Sequence, residues 1–176
     1  MDTEVEARIL NIDKEDLINK LEKLGAKFIG DWLQIRYVYD FKPIDKNRWI
    51  RLRTNGIETT LTIKEIHDKT INGTRELEIK VDSLENTHLI LEKLGYKRRS
   101  IQENKRIRYI LNDVEIDIDT WPHLNTYVEF EGNSEEEIIK VIKLLDYKYE
   151  DAITDDAQDI YMSLGYMQED LNYLKF

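Results

Sequence analysis

Charged and apolar residues change places at every second position in five separate segments of this chain, and in three of them the charges form an acidic pair, Glu-x-Glu. Glu4, Glu6 and Arg8 alternate with Val5, Ala7 and Ile9; Glu76, Glu78 and Lys80 with Leu77, Ile79 and Val81; Glu129 and Glu131 flank Phe130. Side chains of a strand repeat every two residues, so each pair shares one face. Arg51 and Arg53 around Leu52, and Arg106 and Arg108 around Ile107, obey the same rule with positive sign, and Thr60, Thr62 and Lys64 continue it. One such face reads as a solvated sheet surface. Five of them, carrying both signs, read instead as the lining of a charged tunnel.

With 176 residues, 41% of them hydrophobic, the chain can bury a substantial core, and no boundary is visible within it. Only two prolines and seven glycines are present, and no Ser/Gly/Pro-rich stretch marks a linker. The expectation is one domain over 1–176 with a C-terminal helical tail from about 153 to 176. There is no cysteine, which excludes disulfides, thiolate metal sites and thiol nucleophiles. No signal-like run opens the sequence and no stretch approaches the ~20 apolar residues of a membrane span, so a cytoplasmic protein without a membrane partner is expected. The formal charge of −10 argues against a large nucleic-acid footprint, although the acids gather in stretches such as Ser134 to Glu137 and the tail from Glu150 to Asp159. The well-placed arginines lie in the alternating segments, where a small polyanion can meet them.

The first Glu-x-Glu strand leads into a helix with Asp13 as N-cap and Leu17, Ile18, Leu21 and Leu24 as its apolar stripe. It ends in Leu-Glu-Lys-Leu-Gly at 21–25. The same five residues return at 91–95, after Glu76-x-Glu78 and a stripe read as Leu89, Ile90, Leu91 and Leu94. The strand–helix unit is repeated. Glu129-x-Glu131 and a helix from about Ser134 to Leu145 form a looser third unit. Further strands are expected at about 35–41, 48–54, 58–65, 105–111 and 114–120. The fold class is therefore α+β: an eight-stranded antiparallel β-barrel, helices packed outside and charged faces turned inward.

Projected inward, the alternation gives carboxylates at Glu4, Glu6, Glu76, Glu78, Asp117, Asp119, Glu129 and Glu131, facing Arg8, Arg51, Arg53, Lys64, Lys80, Arg106 and Arg108. Burying so many charges is costly unless they pair with one another or with a guest. Hard divalent cations take oxygen ligands and share them with substrate phosphates. Arginine and lysine recognise phosphate oxygens by charge-assisted hydrogen bonds. In this reading the basic set clamps a small-molecule triphosphate and the acidic set holds one or two Mg²⁺ or Mn²⁺ ions.

These residues resemble the motifs of the CYTH, or triphosphate tunnel metalloenzyme, superfamily. Glu4-Val-Glu6-Ala-Arg8 looks like its N-terminal signature, and Arg51-Leu-Arg53, Thr62-Ile-Lys64, Arg75 to Glu78, Lys105 to Tyr109, the Asp117–Asp119 strand and Glu129-Phe-Glu131 follow in the order of its later motifs. The resemblance implies an eight-stranded tunnel, divalent-metal dependence and triphosphate substrates. It implies that Glu4, Glu6, Glu129 and Glu131 sit near metal and carry the catalysis, with Arg8, Arg51, Arg53, Lys64, Arg106 and Arg108 on phosphate. Arg8 stands where the family most often has lysine; it keeps the charge but not a compact, pKa-shifted amine.

The leading functional expectation is a metal-dependent hydrolase of inorganic tripolyphosphate, a nucleoside triphosphate or thiamine triphosphate. The alternative is a class IV adenylyl cyclase, and a non-catalytic polyphosphate-binding module is a third reading. His67, His88 and His123 lack ligand spacing and read as surface or packing residues. Trp121 reads as a packed rim residue, and Tyr161, Tyr166 and Tyr173 as anchors of a docking tail that could plug one tunnel end. A homodimer through an outer sheet or helix face is compatible with the pattern, though no residue singles out that surface.

Overall fold

The computed structural model describes residues 1–176. Its strands are β1 (Asp2–Glu4), β2 (Glu6–Ile9), β3 (Lys27–Asp40), β4 (Arg48–Thr54), β5 (Thr59–Ile66), β6 (Thr74–Val81), β7 (Arg98–Leu111), β8 (Val114–Thr120), β9 (Tyr127–Glu131) and β10 (Tyr173–Leu174). The helices are α1 (Lys14–Lys23), α2 (Leu84–Lys93), α3 (Glu135–Leu144) and α4 (Ala157–Ser163). All strands join one sheet in the order β1-β6-β5-β4-β3-β7-β8-β9-β2, with β10 added beside β7. The two ends of that order, β1 and β2, are consecutive stretches of one N-terminal segment. β1 pairs with β6 and β2 with β9, so the segment changes partner at Val5 and nearly closes the ring. Hydrogen bonds from Glu6 N to Ile71 O and from Gly132 N to Val5 O hold that junction. The eight strands expected from sequence become nine in the ring because the first is broken here.

The apolar core lies outside the barrel. Ala7, Ile9, Ile107, Ile116, Ile118, Val128 and Phe130 point outward from β2, β7, β8 and β9 and pack beneath Leu17 and Leu21 of α1 and Ile138, Val141 and Ile142 of α3. A smaller cluster joins Tyr39, Ile50 and Leu52 to Leu84 and Leu91 of α2. Period-two alternation produces this division: burying one alternate set of each strand's residues under helices turns the other set into the lumen.

Asp13, Ser83 and Ser134 each accept a hydrogen bond from the backbone N–H three residues on and so start α1, α2 and α3. The repeated Leu-Glu-Lys-Leu-Gly closes α1 and α2 in the same way. Gly25 (φ +74°) and Gly95 (φ +92°) take the left-handed conformation that the cap requires, and Ala26 N donates to Leu21 O as Tyr96 N donates to Leu91 O. The stripe expected on α2 is not its buried face: Leu89, Ile90 and Leu94 are 52%, 59% and 70% exposed. Leu84, His88 and Leu91 face the sheet instead, an i, i+4, i+7 set in which His88 bonds the Tyr39 hydroxyl through Nδ1 at 2.9 Å. A polar residue in the middle of the buried stripe hid it.

The tail is less helical than expected. After a single turn at Tyr149–Asp151 it forms an antiparallel bridge between Ile153 and Arg8, then the seven-residue α4, a 3₁₀ turn at Gln168–Asn172, and β10 parallel to β7. It thus crosses one end of the barrel. Tyr161 and Leu171 are buried with Trp121 and Tyr127, the Tyr161 hydroxyl donates to Pro122 O, and Tyr173 is exposed. Lys69, in the β5–β6 loop, ties to Asp155 and Asp159 of the tail. No helix is long and apolar enough to cross a membrane.

Candidate active site

The lumen is a cavity of about 780 Å³ lined by inward residues of every main strand and by the tail. Buried polar and charged side chains include Glu6, Arg8, Lys64, Arg106, Asp117, Asp119 and Glu129, an arrangement that an ordinary core excludes. The structure brings together Glu4, Glu6, Arg8, Arg51, Arg53, Lys64, Glu76, Glu78, Arg106, Arg108, Asp119, Glu129 and Glu131 around this space. Lys80 does not belong with them. It lies near the end of β6 where the strand reaches the rim, its side chain is 78% exposed, and it pairs with Glu58 at 2.6 Å.

Around β7, β8 and β9 the charges are matched. Arg106 reaches Asp117 and Asp119 at 2.5 Å each and Glu129 at 3.3 Å. Arg108 holds Asp117 at 2.6 Å and Glu115 at 2.5 Å. Arg8 bonds Glu129 at 2.6 Å and Glu6 at 2.8 Å. Burial opposes the charge on Glu129, but Arg8, Arg106 and Lys64 outweigh it and hold the carboxyl well below its ordinary range. Asp117 does not line the cavity, and both it and Asp119 are gripped by guanidinium forks. In this structure the oxygens of both aspartates are taken by arginine.

Along β3 and β4 the balance is lost. Arg51 is 3.2 Å from Glu76 and 3.4 Å from Glu78, while Arg53 has a single 3.9 Å approach to Glu78. Arg51, then burial, Arg106 and Arg36, push the Arg53 guanidinium well below its ordinary value. Glu76 also takes Lys64 at 2.7 Å, and Glu78 accepts from Thr62 at 2.6 Å. Arg36 faces the same space with no carboxylate among its hydrogen-bond partners. Sequence reading missed it. Gln34-x-Arg36 does continue the inward alternation of β3, opposite Arg53, but Val38 interrupts the polar series.

A third region has excess negative charge. Glu131 stands directly across from Glu6 of β2 and Glu115 of β8. Burial first, then Glu129, Glu4, Glu115 and Glu6, push its carboxyl up to about 7. Burial also raises Glu4, with Glu6 adding to the shift and Lys64, 2.9 Å away, opposing it. Like charges opposed across strands are destabilising unless a cation joins them. No three carboxylates are already converged as a finished metal site, but the donor set of Glu131, Glu6, Glu115 and Glu4 is the hard-oxygen chemistry a divalent ion takes. Glu115 was legible, two residues before Asp117 on the same face.

A family model described as the CYTH domain matches residues 2–158. A Methanocaldococcus jannaschii protein named as a candidate adenylate cyclase is 27% identical over 164 residues, 85% of this chain and 93% of its own. The solved structure of a Pyrococcus horikoshii protein superposes with a TM-score of 0.77 at 26% identity, over 89% of this chain and 98% of that one. A Hippeastrum protein, named as a candidate adenylyl cyclase and described as revealing a dominant triphosphatase activity, shares the fold at 13% identity and a TM-score of 0.63, over 95% and 98% of the two chains. With the motif order, the nearly closed ring and the inward charges all in agreement with a family match over nearly its whole length, the chain belongs to the CYTH domain family.

Proposed function

We propose that the tunnel binds a triphosphate and hydrolyses its terminal phosphoanhydride with a divalent cation, Mg²⁺ or Mn²⁺. The observation that carries this reading is the separation of uncompensated charge: Arg36 and Arg53 lack close carboxylates on one wall, and Glu131 lacks a cation on another. Each is unfavourable alone. A metal-bound polyphosphate answers both, its oxygens to the guanidiniums and its cation to the glutamates.

Arg51 and Arg53 would bind the non-bridging oxygens, with Lys64 at the Glu4 side of the same space. Glu131, Glu6, Glu115 and Glu4 would hold the cation, which when bound supplies charge neutralisation on the phosphoryl oxygens and a more acidic water. Glu131 retains a proton near neutrality in the free protein and must release it to act as a ligand. The ion pairs of Arg106 with Asp117, Asp119 and Glu129 keep the floor of the site rigid, so the clamp is oriented before the substrate arrives. Attack of water on the terminal phosphorus breaks the bridging P–O bond and releases orthophosphate and a diphosphate.

A cyclase is the second reading, favoured by the name of the Methanocaldococcus relative. There the ribose 3′-hydroxyl attacks the α-phosphorus of ATP and pyrophosphate leaves. Incubation with Mg²⁺ or Mn²⁺ and either tripolyphosphate or ATP, with products resolved, separates the two. Orthophosphate from tripolyphosphate without cyclic AMP supports the hydrolase, whereas cyclic AMP with matching pyrophosphate replaces it by the cyclase. Tight binding without turnover would leave an anion-binding module.

A further inference from the structure

The lumen changes character along its length. On three neighbouring strands the inward series passes from polar to apolar toward the same end: Val38 follows Gln34 and Arg36 on β3, Trp49 precedes Arg51 and Arg53 on β4, and Ile66 follows Thr62 and Lys64 on β5. The registers set these residues side by side. Val38 lies opposite Arg51, Trp49 lies opposite Lys64, and Ile66 N donates to Asn47 O at 2.8 Å. This is the end that the tail crosses, where Ile44 of the β3–β4 loop and Met162 of α4 join the cavity wall. At the far end the wall is Arg53, Glu78, Arg108, Glu115 and Glu131, every one charged. The cavity is therefore amphipathic along its axis.

Two tryptophans line it, and they differ in what they already hold. Trp121 is buried, carries the Arg36 guanidinium on its face at 4.4 Å, meets Tyr161 edge-on at 6.3 Å and donates from Nε1 to the Tyr127 hydroxyl at 2.9 Å. Trp49 is half-buried, and no aromatic ring or cation of the protein stacks on it. Like Val38 and Ile66 beside it, it belongs to none of the three apolar clusters. Apolar surface facing a cavity rather than a core is favourably covered by an apolar guest. At about 780 Å³, the cavity falls in the range of pockets that enclose a whole organic ligand. Trp49, Arg51 and Arg53 are successive inward residues of one strand, so the ring and the last guanidinium originate about 13 Å apart, with a cation between them. That is the order of parts in a nucleoside triphosphate, a flat ring followed by phosphates.

We propose that the substrate is a nucleoside triphosphate, its base stacked on Trp49 beside Val38, Ile66 and Met162, and its phosphates laid toward Arg51 and Arg53. Asn47 and Gln168, neutral amides on the same stretch of wall, suit the donors and acceptors of a base edge. This inference rests on the reading that the tunnel binds a triphosphate, and narrows that reading from inorganic to nucleoside triphosphates.

Calorimetric titration of the whole protein with tripolyphosphate, ribose 5-triphosphate and ATP, in EDTA and again in Mg²⁺, tests it. The second ligand carries the sugar but no ring to stack. Wild-type protein should bind ATP about 5- to 100-fold more tightly than ribose 5-triphosphate, the range of one base stacked on an aromatic side chain. W49A should bring ATP down to the level of ribose 5-triphosphate and leave ribose 5-triphosphate and tripolyphosphate unchanged, a pattern that a general loosening of the barrel does not produce. W49F keeps a ring and should retain most of the preference for ATP. Equal wild-type affinity for ATP and ribose 5-triphosphate overturns the inference without needing any variant, as does undiminished ATP binding by W49A or an equal loss of all three ligands. In those cases binding of tripolyphosphate leaves the triphosphate reading standing. If the wild type binds none of the three under either condition, the triphosphate reading itself falls and takes this inference with it.

Discussion

Two Arg-x-Arg pairs face the lumen, and they are indistinguishable as sequence yet opposite in circumstance. Arg106-x-Arg108 lies beside β8, which presents Glu115, Asp117 and Asp119 in register, and four of its ion pairs are 2.6 Å or shorter. Arg51-x-Arg53 lies between β3 and β5, whose facing residues are Arg36, Val38, Thr60 and Thr62, and the shortest of its pairs is 3.2 Å. A guanidinium fork already filled by carboxylate is part of the framework, whereas one with room for an incoming oxyanion is part of the site. What decides between these roles is the adjacent strand, not the motif.

The comparison can be broken most severely at Arg106. R106M would leave Asp119 buried without a cation, with Asp117 kept only by Arg108 and Glu129 only by Arg8, and we expect a loss of about 3–5 kcal/mol in denaturant unfolding; a loss below 1 kcal/mol would mean the network is not structural. R53M should leave that stability nearly intact and weaken tripolyphosphate about 10- to 100-fold, the scale of a charge-assisted contact, as read by titration calorimetry. Glu131 gives a smaller effect with a defined sign. Its folded carboxyl is raised to about 7 from 4.5, so its favourable contribution is complete below about pH 4.5 and is lost as pH rises through 7, because the folded state keeps a proton the unfolded state has released. The metal-free protein should therefore become easier to unfold in urea between pH 5 and 7.5, and E131Q should flatten that slope; parallel slopes would remove Glu131 as its source. At the small end, K80A should change neither turnover nor stability by more than about 0.5 kcal/mol, as for an exposed ion pair.

The alternation of residues such as Glu4, Arg51 and Glu129 made the barrel readable because it is local: period two dictates strands, and the sign of each face dictates which side is inward. Helix starts at Asp13 and Ser134 were readable for the same reason, as was the shared Leu-Glu-Lys-Leu-Gly ending. Register was not. Nothing near Arg106 announces that Asp117 and Asp119 will stand opposite it, and nothing near Arg53 announces that Thr60 will. Lys80 was misplaced because alternation continues past the rim, where a side chain that starts on the inner face can escape to water and Glu58. The face of α2 was misread because His88 occupies a position where an apolar residue was sought. Arg36 was overlooked because its role depends on what is missing around it, and missing carboxylates can be seen only once the strands are assembled.

The most direct measurement is the thermal midpoint of the wild-type protein and of an R51M/R53M double variant, each with and without saturating tripolyphosphate and Mg²⁺. If the β3–β4 wall is the anion site, ligand at about 100 times its dissociation constant should stabilise the wild type by about 2.7 kcal/mol, and the double variant should melt near the ligand-free wild type with that shift abolished. A wild type that gains nothing from tripolyphosphate, or a double variant that keeps the full gain, would contradict the assignment of this wall to substrate.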